Sequence, residues 1–253
     1  MDEPTAVEFL VPAPRATDAR GHVVQFYRTE EFLLHNVASF VAQGLRAGES
    51  VIVIATREHL SACEDRLARD GVEVGRAIEQ GALVLREASD TIASFSSEGR
   101  LDAARFRDVV GDLIRKARAS SPHRRVRAYG EMVDVLLRAG QPDAVLELER
   151  LWCGVVEEES VHLLCGYWLG SFADADRSRV FEEVCQRHTA LAPTETRGSE
   201  ARGGPVLVAE LERRAVALEA EVERSSRLQR ITAALAEAVS VKDMGEIALG
   251  VIT

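Results

Sequence analysis

Residues 22–40 read HVVQFYRTEEFLLHNVASF, and this stretch decides the class of fold. Residues 23–26 are a short apolar run of β-formers. Almost at once Phe32, Leu33, Val37, Phe40, Val41 and Leu45 recur at spacings near a helical turn. A strand, a turn and an amphipathic helix at the start of an α/β pattern is where a nucleotide-binding protein keeps its phosphate loop. Here the turn carries Gln25-Phe26-Tyr27-Arg28-Thr29-Glu30-Glu31, with no glycine and no Lys-Ser/Thr pair. Backbone N–H groups need glycines to wrap a phosphate closely. Two carboxylates at a helix N-terminus fill the place an anion would take.

Outward from this entry the pattern repeats. Residues 51–55, VIVIA, form an unbroken β-branched run, the mark of a strand covered on both faces. Helical periodicity follows over 57–69, then a strand over 82–85, a helix over 101–119 and a strand over 126–129. A helical turn is expected at 131–138, a helix beginning at Pro142 and running through 144–158, a strand over 161–167 and a last helix over 178–188. Strands alternating with helices imply βαβ units, hence a three-layer α/β domain with a mostly parallel sheet. Ligands in such folds bind where the strands end, here at 25–28, 56–58, 130–131 and 166–168.

The flanks differ in texture. Residues 1–20 form a leader containing Pro and Ala and are expected to be poorly ordered. A Gly-, Thr- and Ser-rich break at 193–204 closes the domain, leaving 197–206 as linker. Val208, Leu211, Ala215, Leu218 and Val222 then fall three and four apart with Glu and Arg between them. This seam predicts a coiled-coil helix over 207–240, with a homodimer contact through 207–224 and a phase slip near Ser225. Residues 241–253 read as the start of a further, truncated domain.

The net charge of −10 disfavours a nucleic-acid binder, which needs a basic face. No apolar run approaches the roughly 20 residues that span a bilayer, and Asp2 and Glu3 precede any apolar stretch, so a cytoplasmic protein is expected. Cys63, Cys153, Cys165 and Cys185 form no close pair and read as reduced core thiols. Cys185-x-x-His188, with Cys165 and His162, offers zinc-ligand types without a second pair at zinc spacing. Packing roles are expected there, with no metal and no cofactor. Cys165 beside His188 has no third orienting group for nucleophilic catalysis, and Glu131 has no phosphate-holding Lys beside it.

Several motifs in register carry a resemblance. HVVQFY, residues 43–49 (QGLRAGE) and VIVIAT are followed by residues 127–133 (RAYGEMV), 148–152 (LERLW) and 163–167 (LLCGY). Residues 185–188 (CQRH) and 193–195 (PTE) close the series. Over residues 20–196 the chain resembles the MEDS domain, the methanogen/methylotroph and dichloromethane-regulator sensory domain. That resemblance implies a fold like the RecA and circadian-clock ATPases with a degenerate phosphate loop. It also implies an input module of a histidine kinase or regulator rather than an enzyme. The segment from Arg227 is weakly similar to the helix entering a GAF domain. His22, Gln25, Tyr27, Glu131, Cys165, Tyr167 and His188 are the expected ligand-binding residues, polar groups beside aromatic ones near the strand ends. His22, at the start of its strand, is the one placed to point elsewhere. The alternative is a RecA-like nucleotide hydrolase or a cysteine-dependent enzyme. A transcription regulator would need a helix-turn-helix that the sequence does not offer.

Overall fold

The computed structural model describes residues 21–121, 125–192, 195 and 204–250, with the side chains of the last helix described over 209–232. The leader, residues 251–253 and most of the 193–204 break lie outside the described residues, as do the side chains of the seam's Val208 and of the stripe beyond 232.

The chain begins with β1 (Gly21–Tyr27) and α1 (Glu30–Arg46). Thr29 caps α1 by accepting the N–H of Phe32, and Glu30 and Glu31 lie in its positive first turn. Then come β2 (Ser50–Ala55), α2 (Arg57–Arg69), α3 (Val74–Glu79) and β3 (Leu83–Glu87). Thr56 caps α2 as Thr29 caps α1. After α4 (Ala88–Ser94), a small antiparallel hairpin of β4 (Ser96–Ser97) and β5 (Arg100–Leu101) leads into α5 (Ala103–Ser120). The second half runs β6 (Val126–Gly130), α6 (Met132–Arg138), α7 (Pro142–Glu159) and β7 (His162–Trp168). Two 3-10 turns, Leu169–Phe172 and Ala175–Arg177, precede α8 (Ser178–Arg187), β8 (Ala190–Leu191) and the long α9 (Gly204–Gly250).

Among the described residues the main sheet has six strands in the order β3-β2-β6-β7-β1-β8, every pairing parallel. The unbroken apolar run of β2 is an interior strand between β3 and β6, fully buried along its length. Side chains alternate across the sheet. Val23, Tyr27, Val51, Val53, Tyr129 and Leu164 pack beneath α1 and α2. Val24, Phe26, Ile52, Ala128, Leu163, Cys165 and Tyr167 pack beneath α5 to α8. This is the three-layer α/β arrangement.

Several short elements escape the sequence reading, the β4–β5 hairpin and the two 3-10 turns among them. Helices α3 and α4 are too short for periodicity to show, and β8 is only two residues long. Small as it is, β8 removes β1 from the sheet edge. Thr189 donates its N–H to the His22 carbonyl at 2.7 Å, and Ala192 donates to that of Val24 at 2.7 Å. The hydroxyl of Thr189 bonds both the N–H and the carbonyl of His22. The end of α8 is thereby fixed over the start of β1. His188, expected inside the helix, is its extended C-cap.

Candidate functional site

The sheet separates the expected ligand-binding residues by face. Gln25 and Tyr27, odd-numbered on β1, share the α1–α2 side with Tyr129, whose hydroxyl reaches Glu131 at the head of α6. His22 is even-numbered on β1 and turns to the opposite side, where Cys165 and Tyr167 of β7 and His188 also lie. Two clusters result, so the seven residues do not converge on a single pocket, because period-two alternation turns neighbours apart.

The first cluster lies at the strand ends. Glu131 accepts the backbone N–H of Thr56 through Oε1, and its Oε2 accepts the Tyr129 hydroxyl at 3.0 Å and contacts His59 Nδ1 at 2.8 Å. The His59 pKa is raised, chiefly by that bond to Glu131. Tyr27 Oη accepts from the Arg138 guanidinium at 3.0 Å. Arg138 pairs with Asp134 at 2.7 Å and lies over the Trp168 ring, 5.1 Å from its centroid. Asp134 Oδ1 in turn accepts the Trp168 N–H and the Ser171 hydroxyl. Gly166 makes room for this: a Cβ there would lie 2.5 Å from the Tyr129 hydroxyl oxygen. These contacts stitch β1, β2, β6 and β7 together where a ligand was expected. On this side of β1, Gln25 Oε1 has no hydrogen-bond partner among the described residues.

The second cluster is deeper. His22 Nε2 lies 3.3 Å from Cys165 Sγ and 3.3 Å from Glu149 Oε2, and His188 Nε2 lies 3.6 Å from the same oxygen. One donor atom from each of the four side chains falls within 4.8 Å of the others, and all four residues are buried. Tyr167 donates its hydroxyl to Glu149 Oε1 at 2.6 Å. His188 Nδ1 donates to the Val184 carbonyl at 2.7 Å, since a carbonyl can only accept. That fixes the tautomer, and a neutral His188 presents the Nε2 lone pair to the cluster. Neither His188 Nε2 nor Glu149 Oε2 has a hydrogen-bond partner.

The charges are coupled. Burial opposes ionisation of Glu149, yet the facing His188 and His22 and the Tyr167 hydroxyl hold its pKa below the ordinary carboxylate value. Burial alone would depress His22, but Cys165, Cys153 and Glu149 outweigh it and raise its pKa. His188 is pushed down to about 4 by burial, only partly offset by Glu149. Cys165 is pushed up to about 12 by burial and then by the Glu149 carboxylate. One carboxylate holds one imidazolium: His22 carries the proton, His188 stays neutral and Cys165 stays a thiol. A carboxylate, two imidazoles and a thiol are also a donor set for a transition-metal ion.

Sequence reasoning missed Glu149. Its signal was present, because Glu149 sits in the apolar stripe of α7 with Val145, Leu148, Trp152 and Val156, and it is fully buried. The turn after β1 also holds a surprise. The backbone N–H groups of Arg28 and Thr29 both donate to Glu195 Oε1 at 2.7 Å. A carboxylate from the far end of the domain occupies the anion position that Glu30 and Glu31 were expected to fill.

No curated protein matches the chain. The sequence model of the MEDS family, described as the methanogen/methylotroph, DcmR sensory domain, matches residues 21–189. The match opens at the first residue of β1 and closes one residue past His188, so it encloses both clusters. Spanning five of the six strands of the main sheet and more than half of the chain, it identifies the chain as a member of the MEDS family of sensory domains.

Proposed function

We propose that this chain is the sensory input module of a cytoplasmic bacterial signalling protein of the histidine kinase or regulator type. It binds a small molecule or partner and relays the change through a dimeric helix. The observation that carries this reading is the two-sided exposure of α9. Ala209, Glu212 and Arg213 are buried against the domain, and Arg213 donates to the Phe172 carbonyl at 3.2 Å and lies over the Phe181 ring. On the other side Leu211, Leu218 and Val222 are 56%, 63% and 65% exposed. These are members of the heptad seam, and a second copy of the helix would cover them.

The domain offers a route to that helix. Tyr167, held by Glu149, packs 5.4 Å from the Phe172 ring, and Phe172 is the residue whose carbonyl Arg213 grips. Arg28, in the turn after β1, forms an ion pair with Glu219 of α9 at 2.7 Å. A shift of β7 or of the β1 turn would therefore be felt by α9. The module is read as non-catalytic and as a relative of the RecA-like ATPases that has lost its phosphate loop, because Glu195 takes the N–H groups a phosphate would need. Among the described residues no helix is long and apolar enough to cross a membrane.

Sedimentation of the full chain tests the relay. A dimer at micromolar concentration that becomes a monomer in Leu218→Glu is expected. A monomeric parent chain, or a dimer untouched by Leu218→Glu, removes α9 as the contact.

A further inference from the structure

We propose that His22, Glu149, Cys165 and His188 bind one divalent transition-metal ion of the zinc class, buried between the sheet and the α7–α8 layer. The proposal goes beyond the sensory reading and does not rest on α9 pairing. Zinc bonds of about 2.0–2.3 Å in a tetrahedron set the donor atoms about 3.3–3.8 Å apart. The separations here are 3.3, 3.3 and 3.6 Å for the three contacts among these donors, with every pair within 4.8 Å. His188 Nε2 and Glu149 Oε2 are fully buried and 3.6 Å apart, with no hydrogen-bond partner on either, although Glu149 Oε2 also faces His22 Nε2 at 3.3 Å as an ion pair. Buried polar atoms are seldom left so, and one cation between them would serve both.

The surroundings match those of a held metal. A ligating imidazole is normally oriented by a hydrogen bond at its other nitrogen, and a ligating carboxylate by one at its other oxygen. His188 has the Val184 carbonyl on Nδ1, Glu149 has the Tyr167 hydroxyl on Oε1, and His22 has Cys153 Sγ 3.6 Å from Nδ1. A carboxylate, a thiolate and two neutral imidazoles sum to two negative charges, so a dication leaves the core without net charge. Calcium and magnesium prefer all-oxygen sites, and this mixture of nitrogen, sulfur and oxygen selects zinc, cobalt(II) or iron(II). On binding, the Cys165 thiol and the His22 imidazolium each give up a proton to solvent, the freed lone pairs on Sγ and Nε2 form bonds to the metal, and no electron changes hands. The four ligands come from β1, α7, β7 and the C-cap of α8, so the ion would tie both helices to the sheet.

The experiment titrates the full chain, reduced and stripped with chelator, with cobalt(II) alone. The expected result is one equivalent bound, with the visible bands of tetrahedral cobalt and a thiolate-to-cobalt charge-transfer band, all bleached by Zn2+. Cys165→Ser should lose the charge-transfer band, and His188→Ala should weaken binding at least ~10-fold. Tyr167→Phe, acting through Glu149, should weaken it about 10–100-fold with the bands retained. Cys63→Ser, on the opposite face, should keep the full spectrum. Should the cluster variants fail to fold, the parent chain alone decides, since an ion bound only to the native state must raise the thermal midpoint. No charge-transfer band and no shift in midpoint, or binding unmoved by both His188→Ala and Cys165→Ser, overturns the proposal.

Discussion

The strand-end cluster of Tyr27, Tyr129, Glu131 and Arg138 and the deep cluster of His22, Glu149, Cys165 and His188 sit on opposite faces of the same sheet. At the strand ends both Glu131 oxygens and the Tyr27 hydroxyl are bonded, and the contacts run from one strand to the next. In the deep cluster one oxygen of Glu149 and one nitrogen of His188 meet without a bond, while the atoms behind them are firmly held. The difference teaches where a ligand can act. A satisfied network is a clasp and loses bonds when something enters it, whereas orphan atoms that converge on a point gain them.

The comparison breaks most sharply at its two glutamates. Replacing Glu149 with Ala leaves His22 as a buried cation without its partner. Breaking a buried pair in this way costs about 3–5 kcal/mol, so a fall of that size in unfolding free energy by urea titration is expected. Glu131→Gln keeps the shape of the clasp but puts an NH2 donor in place of one of the two oxygens, against either the Thr56 N–H or the Tyr129 hydroxyl and His59. The loss of hydrogen bonds to a charged group predicts about 1.5–3 kcal/mol, with cobalt binding unchanged. A Glu131→Gln loss as large as that of Glu149→Ala would erase the distinction between the two clusters.

Acid sharpens the contrast further. The pKa of His188 falls from 6.5 to about 4 in the folded chain. Between those values His188 binds more protons in the unfolded chain than in the folded one, so its contribution to stability is full above pH 6.5 and declines toward pH 4. His162, pushed down to about 4 by burial and by Arg127, acts in the same direction. Each imidazole contributes at most ~1.4 kcal/mol per pH unit. Urea midpoints should fall between pH 7 and 5, less steeply in His188→Gln, and a flat profile would contradict the assignment of His188 as neutral. The smallest effect is expected at the β1 turn, where ATP with magnesium should leave the melting temperature unmoved. A clear rise would revive the nucleotide-hydrolase reading.

Local pattern made much of the fold legible. The apolar run at 51–55, the helical periodicity of α1, and Pro142 at the start of α7 each announce an element through short-range physics. The helix α9 was legible in the same way, by spacing alone. What faces what was not. Gln25 and Tyr27 group with His22 in the sequence as polar and aromatic residues near strand ends, yet alternation sends them to opposite faces.

The sequence by itself determined the succession of the longer strands and helices, the parallel α/β class and the membership in a sensory family. Those follow from apolar periodicity, turn chemistry and motifs whose effects reach only a few residues along the chain. Only the tertiary structure decided that β8 pins the end of α8 to β1, which brings His188 beside His22 with ring centroids 3.9 Å apart. It also decided that Glu149, one acid among several on α7, is the one turned into the core. Residues so distant in sequence meet only when sheet order and helix packing are complete. The site is therefore a property of the assembled layers, set by long-range burial and by the bonds that burial obliges its polar atoms to find.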